Sequence, residues 1–499
     1  MDWLTPGSWT NRLATRALTL PSLPRGPGWA RILGALALVC AALAGGGCPR
    51  SMTTNGWPEA EPPARANLAA AQEACGAANI VICVIDAARA DHLGCYGYDR
   101  PTTPEIDRVA AHGTRFTHAV TDAPFTLAAI TSLYTGQYYD THGVSTASMR
   151  IPTELVTLPE ACRAAGMRTA VITGSGMIIR GHGLGDGVDH FQVILDRDPA
   201  QGSVPALRKA WGAWLDDNRD ERFFLYVHIM PPHHPYERAG PFRGRFDRNY
   251  RGALPPTSEL LLQRDADVLK LSPRDVTHMV DMYDEALAYA DWAVGRLVDD
   301  LRARGLLDKT VLVLLADHGE AFGEHGQFLH GNTVYNEMTH MPLILRFPAG
   351  VKGAAAEVDS LIQLSDLAPT LGALCGFQMP QEQVQGLDAS GVIFGDRANA
   401  RPAAFSTCLA LPRIQHAVEI PGAKGIFNDR GRLVQVFDLK ADPLERRNLI
   451  TRRPELAQRL SALWRAWAER QTYIRGAPPA KEGELDPDIR EWLRTLGYL

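Results

Sequence analysis

The residues best able to do chemistry in this chain are acids and histidines at the ends of apolar runs. NIVICVID ends in Asp86, and TVLVLLAD ends in Asp317, followed at once by His318, Gly319 and Glu320. FFLYVHIM leads into Pro-Pro-His233-His234-Pro-Tyr236, and the loop EAFGEHGQFLHGN adds Glu324, His325 and His330. Open α/β sheets gather their chemistry at the carboxyl ends of strands, where loops converge. A lone Asp there commonly caps the helix that follows. An Asp-His pair closing a second strand resists that explanation, and two carboxylates with an imidazole suit a divalent cation. Asp86, Asp317 and His318 are therefore expected to share one. His233 and His330, as lone loop histidines, could as well be solvated or hold a turn as join the site, whereas His142, His182 and His340 are expected to be structural.

The stretch DAPFTLAAITSLYTG, Asp122 to Gly136, holds one candidate nucleophile, Thr126, and no cysteine, lysine or arginine. It stands at the start of a helix expected over Leu127–Thr135, a place that serves a cap and a nucleophile equally well. An unassisted threonine is a weak nucleophile; a bound cation would stabilise its alkoxide and take the hydroxyl as a further ligand. The candidate metal ligands are thus Asp86, Asp317, His318 and Thr126, and the candidate catalytic groups are Thr126, His233 and His330.

These residues need a frame, and the hydrophobic pattern supplies one. NIVICVID, MRTAVITG, FFLYVHIM, TVLVLLAD and MPLILRF are near-continuous apolar runs of strand length, the pattern of strands covered on both faces. Between them, Met279, Met282, Tyr283, Leu287, Ala290, Leu297 and Leu301 recur at helical spacing. Such alternation predicts an α/β core. Residues 237–275, rich in Arg, Pro and Asp, are expected to be a surface loop or lid. AKGIFNDRGRLVQVFDL predicts two strands around a turn at Asp429-Arg430-Gly431, and 454–473 a terminal helix.

The 499 residues are 45% hydrophobic and 21% charged, the balance of a globular protein, and the net charge of −5 argues against a nucleic-acid partner. At the N-terminus, Arg12, Arg16, Arg25 and Arg31 precede ILGALALVCAALAGGGC, which ends at Cys48. A positive flank, an apolar core shorter than the ~20 residues of a membrane span and small residues at its end predict a secretory signal. The small residues before Cys48 also resemble a lipoprotein cleavage site. The expectation is an exported protein of the periplasm or cell envelope, with a tether through Cys48 or the apolar segment itself. Cys75, Cys83, Cys95, Cys162, Cys375 and Cys408 show no paired CxxC spacing, which argues against a zinc ribbon.

Four segments carry a family resemblance: NIVICVIDAARADHLGCYGYDRPTTPEIDRVAAHGTRFTHAV, LLADHGEAFGEHGQFLHGNTVYNEMTHMPLILRFP, SLIQLSDLAPTLGAL and FDLKADPLERRNL. Over residues 79–450 the chain resembles the sulfatase family of the alkaline-phosphatase superfamily. The resemblance implies a central, mostly parallel sheet between helices, with a small C-terminal antiparallel subdomain. The implied organisation is a signal at 1–48, a Pro/Ala-rich tether at 49–78, a sulfatase-like catalytic domain at 79–395, and a C-terminal subdomain with its helix at 396–499. Asp86, Asp317 and His318 match the family's metal ligands. His233 in PPHHPY resembles a histidine near the sulfate, and His330 falls where a lysine or histidine contacts the ester.

Thr126 occupies the position of the Cys or Ser that becomes formylglycine. Where the family has Cys/Ser-x-Pro-x-Arg, this chain has Thr126-Leu127-Ala128-Ala129-Ile130, and Ala87 replaces the second aspartate of an Asp-Asp pair. Threonine cannot yield the aldehyde, but phosphoethanolamine and glycerol-phosphate transferases and nucleotide pyrophosphatases of the superfamily use a threonine nucleophile. With fewer ligands the implied centre is one divalent cation, calcium by resemblance, with manganese or zinc also suited to the donors. The expected function is a metal-dependent hydrolase of sulfate or phosphate esters. The alternatives are a transferase acting on an envelope lipid or glycan, and a scaffold that kept the fold and lost the chemistry.

Overall fold

Asn79–Ile85 forms the central strand of the main sheet, and all seven of its residues are buried. The computed structural model describes residues 68–145, 149–195, 203–237, 239–252, 254, 271–397, 400–409, 414–470, 489–491 and 493. In chain order its elements begin with α1 (Leu68–Gly76), β1 (Asn79–Ile85), α2 (Pro104–Ala111), β2 (Thr114–Val120) and α3 (Thr126–Thr135). Next come α4 (Leu158–Ala164), β3 (Arg168–Thr173), β4 (His190–Val193), α5 (Val204–Asn218), β5 (Phe223–Ile229), α6 (Pro273–Ala303) and β6 (Thr310–Leu315). A short ribbon of β7 (Ala321–Phe322) and β8 (Phe328–Leu329) precedes β9 (His340–Arg346), β10 (Glu357–Gln363) and α7 (Leu367–Cys375). The described part closes with β11 (Ala404–Cys408), β12 (Gln415–Ile420), β13 (Ala423–Asn428), β14 (Leu433–Asp438) and α8 (Pro454–Ala468).

The main sheet has eight strands in the order β10-β2-β9-β6-β1-β5-β3-β4. Every neighbouring pair is parallel except the two that β9 makes, with β2 and with β6. All five apolar runs noted in the sequence are strands of it. β1, β5 and β6 lie side by side and are buried along their whole length, so carboxylates gather only beyond their ends. The residues just beyond β1 and β6 include Asp86 and Asp317, which places both carboxylates over the centre of one sheet edge.

Local signals set the helices that hold this edge. α6 starts at a capping box, in which Ser272 accepts from the Asp275 N–H and the Asp275 side chain bonds back to the Ser272 N–H, with Pro273 first in the helix. Within it the Tyr283 hydroxyl donates to the Ala87 carbonyl and accepts from the Arg89 N–H, each at 2.8 Å, fixing the turn after β1. The turn before α3 is held by Asp122, whose carboxylate accepts from the Ser365 N–H (3.0 Å), the Ser365 hydroxyl (2.9 Å) and the Gln363 amide (3.1 Å).

Three expectations need correction. Part of the stretch expected as tether is α1: LAAAQEACG is a run of good helix formers that buries Ala71 and Cys75, and Gln72 donates to the Ala373 carbonyl of α7 at 3.1 Å. The described start of the 237–275 loop, by contrast, is the irregular stretch expected, anchored on α6, where the Glu285 carboxylate accepts from the N–H groups of Gly244 (2.7 Å) and Phe246 (2.9 Å). The terminal helix ends at Ala468, and α3 begins one residue earlier than expected, at Thr126. The signal segment and Cys48 lie outside the described residues, among which no helix is long and apolar enough to cross a membrane.

The small sheet runs β11-β12-β13-β14, antiparallel throughout, with β13 and β14 flanking the expected turn. Val418, Phe427 and Val436 pack with Leu460, Trp464 and Trp467 of α8. This subdomain is tied to the main sheet by a buried lysine. Lys424 Nζ donates to Asn336 Oδ1 (3.0 Å) and Thr339 Oγ1 (3.1 Å) and pairs with Glu445 Oε1 at 3.3 Å. Glu419 lies opposite Lys424 in the β12–β13 register, so one ammonium faces two buried carboxyls. Burial, aided by Glu445 and opposed by Lys424, raises the Glu419 carboxyl from its ordinary 4.5 to about 7. The native state then holds a proton that the unfolded chain has lost, and stability falls as pH rises through that window, by about 3 kcal/mol. Glu419→Gln is expected to flatten this slope in urea unfolding at pH 5 and pH 8. Identical slopes in variant and wild type would contradict the assignment.

Candidate metal centre and active site

Each of the two carboxylates at the sheet edge is half satisfied by the protein. Asp317 Oδ1 accepts from the N–H groups of Ala87 (3.1 Å) and His318 (3.0 Å). Ala87 sits in the left-handed region at φ 57°, the conformation in which its N–H meets that oxygen. Asp86 Oδ2 is 3.0 Å from His228 Nε2, and the His228 Nδ1 lies 2.7 Å from the Tyr226 hydroxyl. Burial lowers the His228 imidazole to about 4, so it is neutral; a proton on Nε2 then donates to Asp86 while Nδ1 accepts from the tyrosine.

The other two oxygens, Asp86 Oδ1 and Asp317 Oδ2, are buried and accept no hydrogen bond among the described residues. His318 Nε2 lies 3.6 Å from each. The His318 Nδ1 is 2.9 Å from the Gly319 carbonyl, an acceptor only, so the proton sits on Nδ1 and Nε2 presents a lone pair. Gly319 itself is required, because a Cβ there would stand 2.0 Å from the Glu337 carbonyl oxygen.

Two orphaned carboxylate oxygens and a lone pair converging in a buried site are an electrostatic demand for a cation. Without one, burial and then the facing Asp317 push the Asp86 carboxyl well above the ordinary carboxylate range, with His318 opposing. The ligand atoms of Asp86, Asp317 and His318 all lie within 4.8 Å of one another, so the residues present fit a divalent ion.

Thr126 faces the same point. Its Oγ1 is 3.2 Å from His318 Nε2, and the side chain is buried. It is the first residue of α3 and not its cap: the cap position belongs to Phe125, with no side-chain cap bond. Of the two roles left open by the sequence, cap and nucleophile, the helix geometry removes the first. Arg89, a buried arginine in the loop after β1, is committed to Asp91 (2.8 Å) and Glu324 (2.7 Å).

His233 and His330 also arrive here. Their ring centres are 4.7 Å apart, and His330 lies 4.4 Å from His318. The structure adds residues that sequence reasoning passed over. His234 packs against both, tilted at 4.1 Å from His233 and stacked at 5.1 Å from His330, and Glu320 bonds His330 Nδ1 at 3.1 Å. His228, inside the apolar run FFLYVHIM, had one available signal, a lone polar ring in a strand otherwise of core residues. His142, His182 and His340 are structural, bonded respectively to Ser132 and the Val144 N–H, to the Met177 carbonyl, and to the Thr117 carbonyl.

Comparison with known proteins agrees with this architecture. Residues 78–377 match the sulfatase family model, and 323–471 match the model of the N-sulphoglucosamine sulphohydrolase C-terminal region. An ulvan-active sulfatase from Formosa agariphila is 26% identical over 63% of this chain, which spans 65% of that protein, just under two thirds. An N-acetylglucosamine-6-O-sulfatase from Bacteroides thetaiotaomicron is 23% identical, over 84% of this chain and 89% of the relative. A protein solved in complex with its substrate D-glucosamine-2-N,6-O-disulfate superposes with a TM-score of 0.66 at 19% identity, covering 82% of this chain and 99% of that one. The phosphonate monoester hydrolase of Agrobacterium radiobacter gives 0.63 at 18% identity, covering 79% and 95%. At such identities these structures speak for the fold alone. Taken with the family model, which spans more than half of the chain, they establish that the protein belongs to the sulfatase family.

Proposed function

We propose that the protein is an exported, metal-dependent hydrolase of sulfate or phosphate esters of sugars, with Thr126 as its nucleophile. The observation that carries this reading is the convergence of the Thr126 hydroxyl and His318 Nε2 on two unsatisfied carboxylate oxygens. Asp86, Asp317, His318 and Thr126 would hold the cation. When bound, a divalent ion lowers the pKa of a hydroxyl beside it and draws charge from the ester's non-bridging oxygens.

The chain's own residues supply the rest. Thr126 Oγ forms the new bond to sulfur or phosphorus, its proton passing to water, and the bond to the sugar oxygen breaks with its electron pair on that oxygen. The N-terminal end of α3 favours negative charge on the attacking oxygen and on the transferred group. His330 or His233 neutralises the charge that grows on the leaving oxygen or gives that oxygen a proton. Water then cleaves the Thr126 ester and restores the hydroxyl. The sugar substrate is proposed from the relatives, which are named for sulfated polysaccharide and amino-sugar chemistry. Export and a tether through Cys48 are proposed from the sequence. Cys48→Ser is expected to move the protein from the membrane to the soluble fraction, and unchanged fractionation would remove the tether.

Thr126→Ala is expected to reduce turnover of an aryl sulfate or aryl phosphate on the order of 10⁴-fold or more while the protein melts as wild type, with Thr126→Ser keeping activity. Undiminished turnover in Thr126→Ala would exclude it as nucleophile. Removal of metal by a chelator is expected to abolish turnover and lower the melting temperature, since the cation offsets repulsion between Asp86 and Asp317. Asp317→Asn should melt at the same temperature with or without chelator. Equal melting of the chelated and untreated wild type would contradict a resident cation there.

A further inference from the structure

The loop after β5 continues past Tyr236 into the stretch GPFRGRFDRNYRG at 240–252, whose side chains divide between two faces. Phe242, Phe246 and Tyr250 are half-buried. Phe242 packs on Tyr289 of α6 with ring centres 6.0 Å apart, and Tyr250 stacks on His278 at 3.8 Å while its hydroxyl donates to Asp275. Arg243, Arg245, Arg248 and Arg251 are exposed. None of the four pairs with a carboxylate among the described residues. Backbone carbonyls hold them instead, those of Glu237 (3.0 Å), Pro101 (3.2 Å), Gly244 (2.7 Å) and Tyr250 (2.8 Å) in turn. Arg245 also lies over the rings of Phe242 and Phe246, at 5.6 and 5.3 Å. The acids beneath are committed elsewhere: Asp247 to Arg274 and His278, Asp281 and Asp284 to Arg100, and Glu285 to the N–H groups of Gly244 and Phe246.

Uncompensated positive charge of this kind stands out in a chain whose net charge is −5. Carbonyls and aromatic rings fix a guanidinium without neutralising it, so an anion can bind these groups without first breaking an ion pair. Guanidinium forks grip anionic oxygens two at a time. The stretch also lies at the catalytic edge of the sheet: it follows the loop that carries His233, and Arg245 bonds Pro101 in the loop after β1, which starts at Asp86. We infer that Arg243, Arg245, Arg248 and Arg251 form a binding face for an anionic polysaccharide, holding charged groups on sugars beyond the one whose ester is cleaved. Four arginines spread over a stretch of backbone suit a linear polyanion better than a single small anion. An anionic membrane fits less well, because the large apolar side chains exposed among the described residues are Leu387, Leu409, Val434 and Leu444, none of them in this stretch. That the bound polysaccharide is also the substrate rests on the proposed ester hydrolysis. The binding face does not.

The test is calorimetric titration of the full chain with dextran sulfate over a series of salt concentrations, with uncharged dextran as control. Arg243→Gln, Arg245→Gln, Arg248→Gln and Arg251→Gln together are expected to weaken dextran sulfate on the order of tenfold or more and to flatten the fall of affinity with salt, as fewer counterions are released. The same replacement at Arg446, Arg447, Arg452 and Arg459, exposed on the C-terminal subdomain, should bind dextran sulfate as wild type does. Equal affinity in wild type and the first variant, or equal loss in both variants, would overturn the face. Arginine-dependent binding to phosphatidylglycerol vesicles with none to dextran sulfate would overturn it in favour of a membrane. Arginine-dependent binding of dextran sulfate by a wild type that cleaves no aryl sulfate or phosphate would overturn the proposed function and leave the face standing. If the fourfold variant fails to fold, Arg243→Gln with Arg248→Gln, and Arg245→Gln with Arg251→Gln, are each expected to lose about threefold. Wild-type affinity in both pairs would count against the inference.

Discussion

Two carboxylates held face to face in a buried space repel each other, and the sheet edge is arranged around that repulsion. At a separation near 4 Å two like charges differ in energy from a neutralised pair by about 4 kcal/mol even with generous protein screening. The chain meets this by satisfying one oxygen of each acid internally, through His228 for Asp86 and two N–H groups for Asp317, and leaving the other pair for a positive ion. The strands beneath hold no charged group, and the one imidazole among them, His228, is neutral, so no charge within them can substitute. Thr126, Gly319 and the tautomer of His318 follow from the same demand.

Much of this was legible because parallel strands buried on both faces appear in sequence as unbroken apolar runs, and their ends are where polarity returns. Asp86, Asp317 and His318 were found that way. Among the strands of the main sheet that escaped notice, two are polar ones. β2 (TRFTHAV) and β10 (EVDSLIQ) place Arg115, His118, Glu357 and Asp359 at the margin of the sheet, where one face meets solvent and the apolar run breaks. α1 hid inside an alanine-rich stretch whose composition suits a tether as well as a helix; only the partner α7 distinguishes them.

Within the site, proximity that depends on long-range packing was the illegible part. His234 sits beside His233 in the chain, yet a doubled histidine says nothing about which ring faces inward. Glu320 follows His318 by two residues, but its role comes from His330, ten residues further on, through the β7–β8 ribbon. Thr126 looked equally suited to capping and to catalysis, and the helix start, with Phe125 at the cap position, removes the cap. The departures at Thr126 and Ala87 fall on backbone the fold uses: Ala87 turns its N–H onto Asp317, and Thr126 opens α3.

The account stands on a cation held between Asp86, Asp317 and His318 within reach of Thr126. Crystals of the metal-loaded protein, measured by anomalous diffraction at the absorption edge of the bound ion, test this directly. The account predicts an anomalous peak within bonding distance of Asp86 Oδ1, Asp317 Oδ2, His318 Nε2 and Thr126 Oγ1. Loaded protein with no peak among these four atoms would contradict it.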